Sequence, residues 1–350
     1  MEKMAVSSKK NRVVIVITIL LVLLWIGFYC YFSKTDRLSG ISDDAALVVY
    51  TPHPTAFVQP LVNEFERRTQ KRVHIIYGST GDLENALDSG TAIDVMWGGS
   101  YYSVNQYSLL FQDYWTANER YYLDDNKNVE GNMTRFTDMP SVLLVNTDLI
   151  GDVEIRGYED LLNPKLKGRI AMADPTNSSS AFEHLINIIY ACNDSQKGDE
   201  WDFLRELCEN IDGPLLSSSS EVYNGVASGK YIVGLTFEEA AVGVLKEGKH
   251  VDIIYMQEGV VSTPDGVYLL KDAQNKETAK EFIDFITGYD VQLLVSKQLG
   301  RRSVRRDIPE PAGLPSKEEI YWLKPDGQTI INNRGAWINR FEEIAKEVCQ

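Results

Sequence analysis

From residue 47 onward the chain alternates short apolar runs with stretches whose apolar positions recur every three or four residues, the patterns of strands and helices in turn. Leu47, Val48, Val49 and Tyr50 form the first run, and Thr51, Pro52, His53 and Pro54 interrupt it. Phe57, Leu61, Val62 and Phe65 then repeat at helical spacing, while Glu64, Glu66, Arg67 and Arg68 suit a wet face. Val73, Ile75 and Ile76 restart a β-rich run. Strand, loop, helix and strand in this order make a βαβ-like unit, so a parallel sheet is expected.

The cadence continues without internal repeats. Strands are expected at 92–97, 140–147, 169–173, 232–236, 251–255 and 266–270. Helices are expected at 82–88, 102–110, 179–191, 201–210, 220–228, 276–287, 291–299, 316–322 and 335–348, the eighth opened by Pro315 and Ser316 with Glu319 at capping-box spacing. Residues 158–168, dense in Asn, Pro, Lys and Gly, read as a hinge.

Ahead of this pattern, residues 13–32 carry no charge and follow Lys3, Lys9, Lys10 and Arg12, which suits a bilayer span with its N-terminus inside. No small-residue cleavage site follows, and the bulky Phe28 and Tyr29 before Cys30 argue against lipoprotein processing. The expected organisation is a cytoplasmic segment at 1–12, an uncleaved anchor at 13–32, a linker at 33–46, and a soluble part on the outer face of the cell membrane. Some 300 residues remain beyond the anchor, enough for two lobes.

Charge narrows the function. The chain of 350 residues has a formal net charge of −15, and its first forty residues hold more basic than acidic side chains, so the remainder is more acidic still. That composition excludes a nucleic-acid partner. Cys192, Cys208 and Cys349 lack CxxC spacing, and neither a metal nor a cofactor is expected. Cys192 and Cys208 end one helix and sit in the next, which leaves a disulfide and two free thiols both open. His53, His74, His184 and His250 are scattered, and HExxH, GxSxG and GxGxxG are all missing, so no enzyme is indicated.

Several blocks in order carry a resemblance: VVYTPH, YGSTGDL, DVMWGGS, NPKLKGRIAMADPTNSSSAF, GLTFEEAA and EGVVSTPDGVYLLKDA followed by AKEFIDFI. Over roughly residues 46–310 the chain resembles the extracellular solute-binding subunits of ABC importers, in the group of ferric-iron, phosphosugar and phosphonate binders. The resemblance implies an α/β, two-lobed type II periplasmic-binding-protein fold that traps a ligand in a central cleft. It implies lobe 1 at 47–140 plus about 264–300, and lobe 2 at 141–263 plus about 301–350. It further implies a monomer whose partners are a small anionic ligand and an ABC importer permease. The anchor adds a second reading, a tethered subunit that passes its ligand state to a membrane sensor kinase. Iron-binding members typically place adjacent tyrosines just after the strand matching 232–235; here Thr236, Phe237, Glu238 and Glu239 follow, which disfavours ferric iron.

The candidate site residues follow from the chemistry of helix N-termini, whose unpaired N–H groups and partial positive charge hold anions without net basic charge. Ser79, Thr80 and Gly81 stand between a strand and a helix, with small side chains and two hydroxyl donors. Ser100 ends the strand AIDVMW in the same way, and Asn177, Ser178 and Ser179 open the helix of the other lobe. His53 sits in the loop after the first strand, able to donate to an anion. Thr236 and Glu238 complete the set, with Glu238 favoured over Glu239 as acceptor for ligand hydroxyls. The basic cluster Arg301, Arg302, Arg305 and Arg306 reads as a solvated loop.

Overall fold

The computed structural model describes residues 46–349 apart from residues 79, 130 and 196–198. The chain opens with β1 (Leu47–Thr51), α1 (Thr55–Thr69), β2 (Val73–Tyr77), α2 (Leu83–Asp88), β3 (Val95–Ser100), α3 (Tyr101–Val104), β4 (Phe111–Gln112) and β5 (Thr134–Asp138). There follow β6 (Ser141–Asn146), β7 (Ile170–Ala171), α4 (Ser179–Ser195), α5 (Glu200–Ile211), α6 (Ser219–Ala227), β8 (Val233–Phe237), α7 (Glu238–Lys246) and β9 (Val251–Ile254). The last stretch holds β10 (Asp265–Leu270), α8 (Lys276–Ile286), α9 (Tyr289–Leu294), β11 (Arg302–Ser303) and α10 (Gly327–Val348).

Two sheets result, and with them two lobes. The first has the order β11-β5-β10-β3-β1-β2 with β4 on β10, and the second the order β7-β8-β6-β9. Strand β1 pairs in parallel with β2 and β3, as the opening βαβ pattern requires, but β10 runs antiparallel to β3 and β5, so the sheet is mixed. Alternation decides which side chain goes to which face. Leu47, Val49, Val95, Trp97, Val267 and Leu269 pack into the layer beneath α1 and α8, while Tyr50, Met96 and Tyr268, one position out of phase, pack on the other face. Phe57 and Phe65 from α1 and Phe282 from α8 complete the first layer.

The chain crosses between sheets at Met139–Pro140 and again in the segment between β9 and β10, where Pro140 bridges Ser262. These two crossings lie side by side, and neither falls at 158–168, where composition suggested a hinge. That stretch instead folds into short 3-10 turns at Glu159–Leu162 and Pro164–Leu166, with Leu161 and Leu166 buried in the core of the second lobe. Strand β11 remains in the first sheet, beyond the point where lobe 2 was expected to resume.

Among the described residues Cys192, Cys208 and Cys349 form no disulfide, and the Cys349 thiol donates to the Cys208 carbonyl at 3.4 Å. Among the described residues no helix is long and apolar enough to cross a membrane, and the anchor expected at 13–32 lies outside the described residues.

Candidate functional site

Between the lobes lies a cavity of about 660 Å³, and its wall is built mainly where strands hand over to helices. The loop from β1 to α1 supplies His53. Thr51 shapes that loop: its hydroxyl donates to the Trp97 carbonyl at 2.5 Å and accepts from the His53 backbone N–H at 3.1 Å. The imidazole rests on aromatic rings, with centroids 5.1 Å from Phe57 and 5.6 Å from Trp97, and is only 6% exposed. Trp97 itself is fully buried beneath it, so it serves as floor and not as lining.

His53 belongs to a polar network. Its Nε2 lies 2.8 Å from Asp265 Oδ2, and its Nδ1 meets Arg301 Nη2 at 3.3 Å. Arg301 also donates through Nη1 to Asp265 at 3.1 Å and to Thr137 at 3.3 Å, and through Nη2 to Glu239 at 2.7 Å. Its guanidinium covers the Phe57 ring at 4.1 Å, and the residue is 2% exposed. The solvated loop expected at 301–306 is therefore overturned for Arg301, Arg302 and Arg305, which are buried against carboxylates, while Arg306 stays half exposed.

Helices α1, α4, α6 and α7 point their N-termini at this cavity, bringing Thr55, Ser179, Ser219 and Ala240 to its wall. At α4, Asp174 organises the entry, its carbonyl accepting from the Asn177 and Ser178 N–H groups, and Ser178 Oγ accepts from the Ala181 N–H at 3.4 Å. The same device recurs at α6. Ser218 accepts from the Glu221 N–H at 3.4 Å, and the pairs Ser178–Ser180 and Ser218–Ser220 are hydroxyl-bonded at 3.2 and 2.9 Å. The trio Ser218, Ser219 and Ser220 was not singled out from sequence; its signal was the run of serines before a helix, a repeat of the one at 178–180.

Of the sequence candidates, His53, Thr80, Ser100, Asn177, Ser178 and Ser179 line the cavity together. Thr80 and Gly81 fall in the 3-10 turn Thr80–Asp82, and Thr80 reaches across to the Ser179 hydroxyl at 3.5 Å. Ser79 lies outside the described residues. Ser100 follows Gly98 and Gly99, whose φ angles of 127° and 85° favour glycine, and a Cβ on Gly98 would come within 2.7 Å of the Pro52 ring. Strand β3 thus runs on through this pair in place of ending in a loop at Trp97.

Two candidates are corrected. Thr236 is fully buried inside β8, and its carbonyl accepts from His184 at 2.7 Å, away from the cavity wall. Glu238 is 1% exposed and also off the wall: it accepts from Arg302 Nε at 3.0 and 2.9 Å and from the Tyr255 hydroxyl at 2.5 Å. Successive residues on a helix point about 100° apart, so when Glu238 turns into the protein Glu239 turns to the cavity, the reverse of the expected choice.

One further carboxylate was missed. Glu183, in the first turns of α4, lines the cavity at 8% exposure and accepts from Ser100 Oγ at 2.5 Å and from Thr263 Oγ1. Burial pushes its pKa up to about 7, against the opposing pull of those two hydroxyls. Among the described residues no group of three or more His, Cys, Asp and Glu side chains could hold a metal ion.

This two-lobed architecture with its ligand-sized cleft is that of type II periplasmic solute-binding proteins. The sequence profile of bacterial extracellular solute-binding proteins matches residues 46–298, and the chain belongs to that family. The spermidine/putrescine-binding periplasmic protein of Escherichia coli is 24% identical over 199 residues, 56% of this chain and 55% of the relative. The match thus spans about half the length of such curated relatives. A solved structure described as a two-component system protein mediating signal transduction is 28% identical, with a TM-score of 0.72 over 82% of this chain and 99% of the other. The periplasmic binding protein AfuA of Actinobacillus pleuropneumoniae, solved with fructose-6-phosphate, is 20% identical with a TM-score of 0.77 over 86% and 98%. Apo ferric ion-binding protein A of Pasteurella haemolytica is 18% identical with a TM-score of 0.73 over 86% and 98%.

Proposed function

We propose that this chain binds an anionic solute bearing a phosphate ester or phosphonate between its lobes and delivers it to an ABC importer permease. The observation that carries the reading is the convergence of helix N-termini, serine-rich at α4 and α6, on a cavity that also holds His53 and Arg301. Backbone N–H groups and hydroxyls supply the many donors that a phosphate's oxygens need. Asp265 and Glu239 both pair with Arg301, which offsets one of their two negative charges, so the anion would be held by the helix N-termini and hydroxyls, while Glu239 adds an acceptor for ligand hydroxyls. A polyamine would meet Arg301 and the positive ends of four helices. Ferric iron lacks its phenolate pair, since Phe237 at the end of β8 and Glu238 and Glu239 after it stand where the tyrosines would.

A second reading has its own support. The relative described as a two-component system protein is similar over nearly its whole length, which favours a subunit that reports ligand occupancy to a sensor kinase.

Thermal unfolding of the full chain tests the ligand class. Glucose 6-phosphate at one hundred times its Kd should stabilise the folded state by about 2.7 kcal/mol, a rise in Tm of about 4 °C. Spermidine and ferric ion should leave Tm unchanged. A shift with either of these and none with phosphate esters would overturn the proposal.

A further inference from the structure

Glu183 stands where three parts of the protein meet. Its helix α4 belongs to the second lobe, Ser100 ends β3 in the first, and Thr263 lies in the crossover between them. One turn further along α4, Asn187 holds the same crossover, donating to the Gly259 carbonyl at 2.9 Å and accepting from the Val261 N–H at 2.8 Å. This face of α4 is therefore fastened to the crossover by Asn187 and to the opposite lobe by Glu183. We infer that Glu183 is a positioning residue that couples uptake of a proton to closure of the lobes.

Both carboxyl oxygens are held by hydroxyls and not by cations. The charged and titratable groups on the elements around it are otherwise engaged. His53, Asp265, Arg301 and Glu239 pair with one another across the cavity, and His184 on the same helix turns away to the Tyr158 hydroxyl and the Thr236 carbonyl. Closing the lobes removes water from a carboxylate without giving it a counter-ion, which favours the protonated form. Opening returns it to water and to an ordinary carboxylate range. The closed form therefore binds the proton more tightly, and linkage makes closure easier as pH falls through about 7. Between pH 8 and pH 6 the closing equilibrium shifts about tenfold toward the closed form.

The test is made without ligand, so it stands or falls apart from the phosphate reading. Hydrogen exchange of the full chain is followed at pH 6 and pH 8, corrected for intrinsic rates, in peptides covering Gly99–Ser100 and Thr263. Protection about tenfold greater at pH 6 is expected, and Glu183→Gln, a neutral carboxyl mimic, should show the same strong protection at both pH values. Equal protection in the wild type, or a pH step that survives in Glu183→Gln, would overturn the inference. Carboxyl carbon NMR of the wild type decides independently of any variant: one glutamate should titrate near pH 7, and a spectrum in which all titrate below about 5 sinks the idea.

Discussion

Replacing Arg301 by Ala is expected to cost about 3–5 kcal/mol of stability, read as a fall in the urea midpoint, and to abolish binding of phosphate esters. The size follows from what the guanidinium leaves behind. Asp265 is 1% exposed and would lose its guanidinium partner, keeping a contact with His53 and the Gly266 N–H. Glu239 would lose its 2.7 Å bond, and the Phe57 ring its covering cation. Removing one member of a buried charge network is worse than never having built it, because the remaining charges stay desolvated. Arg301→Lys should recover part of the stability but not the binding, since an ammonium cannot serve Thr137, Asp265, His53 and Glu239 at once. An Arg301→Ala protein with wild-type stability would show that the network is not closed in solution.

The second large effect separates two adjacent acids. Glu238→Ala is expected to cost about 3–5 kcal/mol, because Arg302, fully buried, loses a two-oxygen acceptor, although it keeps Glu310 and the Pro315 carbonyl. Ligand affinity per folded molecule should not change, since Glu238 does not reach the cavity. Glu239→Gln should do the opposite. Arg301 retains Asp265, so the melting temperature moves little, while removal of a negative charge beside the anion strengthens binding of inorganic phosphate. Urea titration and calorimetry on the two variants check both halves, and an affinity loss in Glu238→Ala alone would reverse the assignment.

How far the sequence could be read depended on where its information was stored. The apolar runs of β1, β3 and β10 and the helical spacing of Phe57, Leu61, Val62 and Phe65 announce themselves locally, because each is a repeat of one face. Strand β5 was not legible: its sequence TRFTD is polar at four of five positions, yet every residue is buried, with Thr137 and Asp138 satisfied by Arg301 and Lys317 far along the chain. Helix α10 begins eight residues before the expected start, capped by Asp326 accepting from Thr329 N–H, in a turn with few apolar residues to mark it. The segment 316–322 kept its capping box at Ser316 and Glu319 but stopped after one 3-10 turn.

The site shows the same division. Serines before a helix can be seen in one dimension, and Asn177, Ser178 and Ser179 were. Arg301 could not be, because its partners Asp265 and His53 lie 36 and 248 positions away and only the folded chain brings them together. Which of Glu238 and Glu239 faces inward depends on the rotational phase of α7, and two like residues side by side carry no signal of it.

A binding wall made of dipoles in a chain of net charge −15 also governs how ligands arrive. Helix N-termini act over a turn or so, whereas the surrounding negative charge acts over a Debye length of about 10 Å at 0.1 M salt, so an approaching phosphate ester meets repulsion before attraction. Encounter is slowed and discrimination is left to the last few ångströms, where oxygens are counted by hydroxyls and N–H groups.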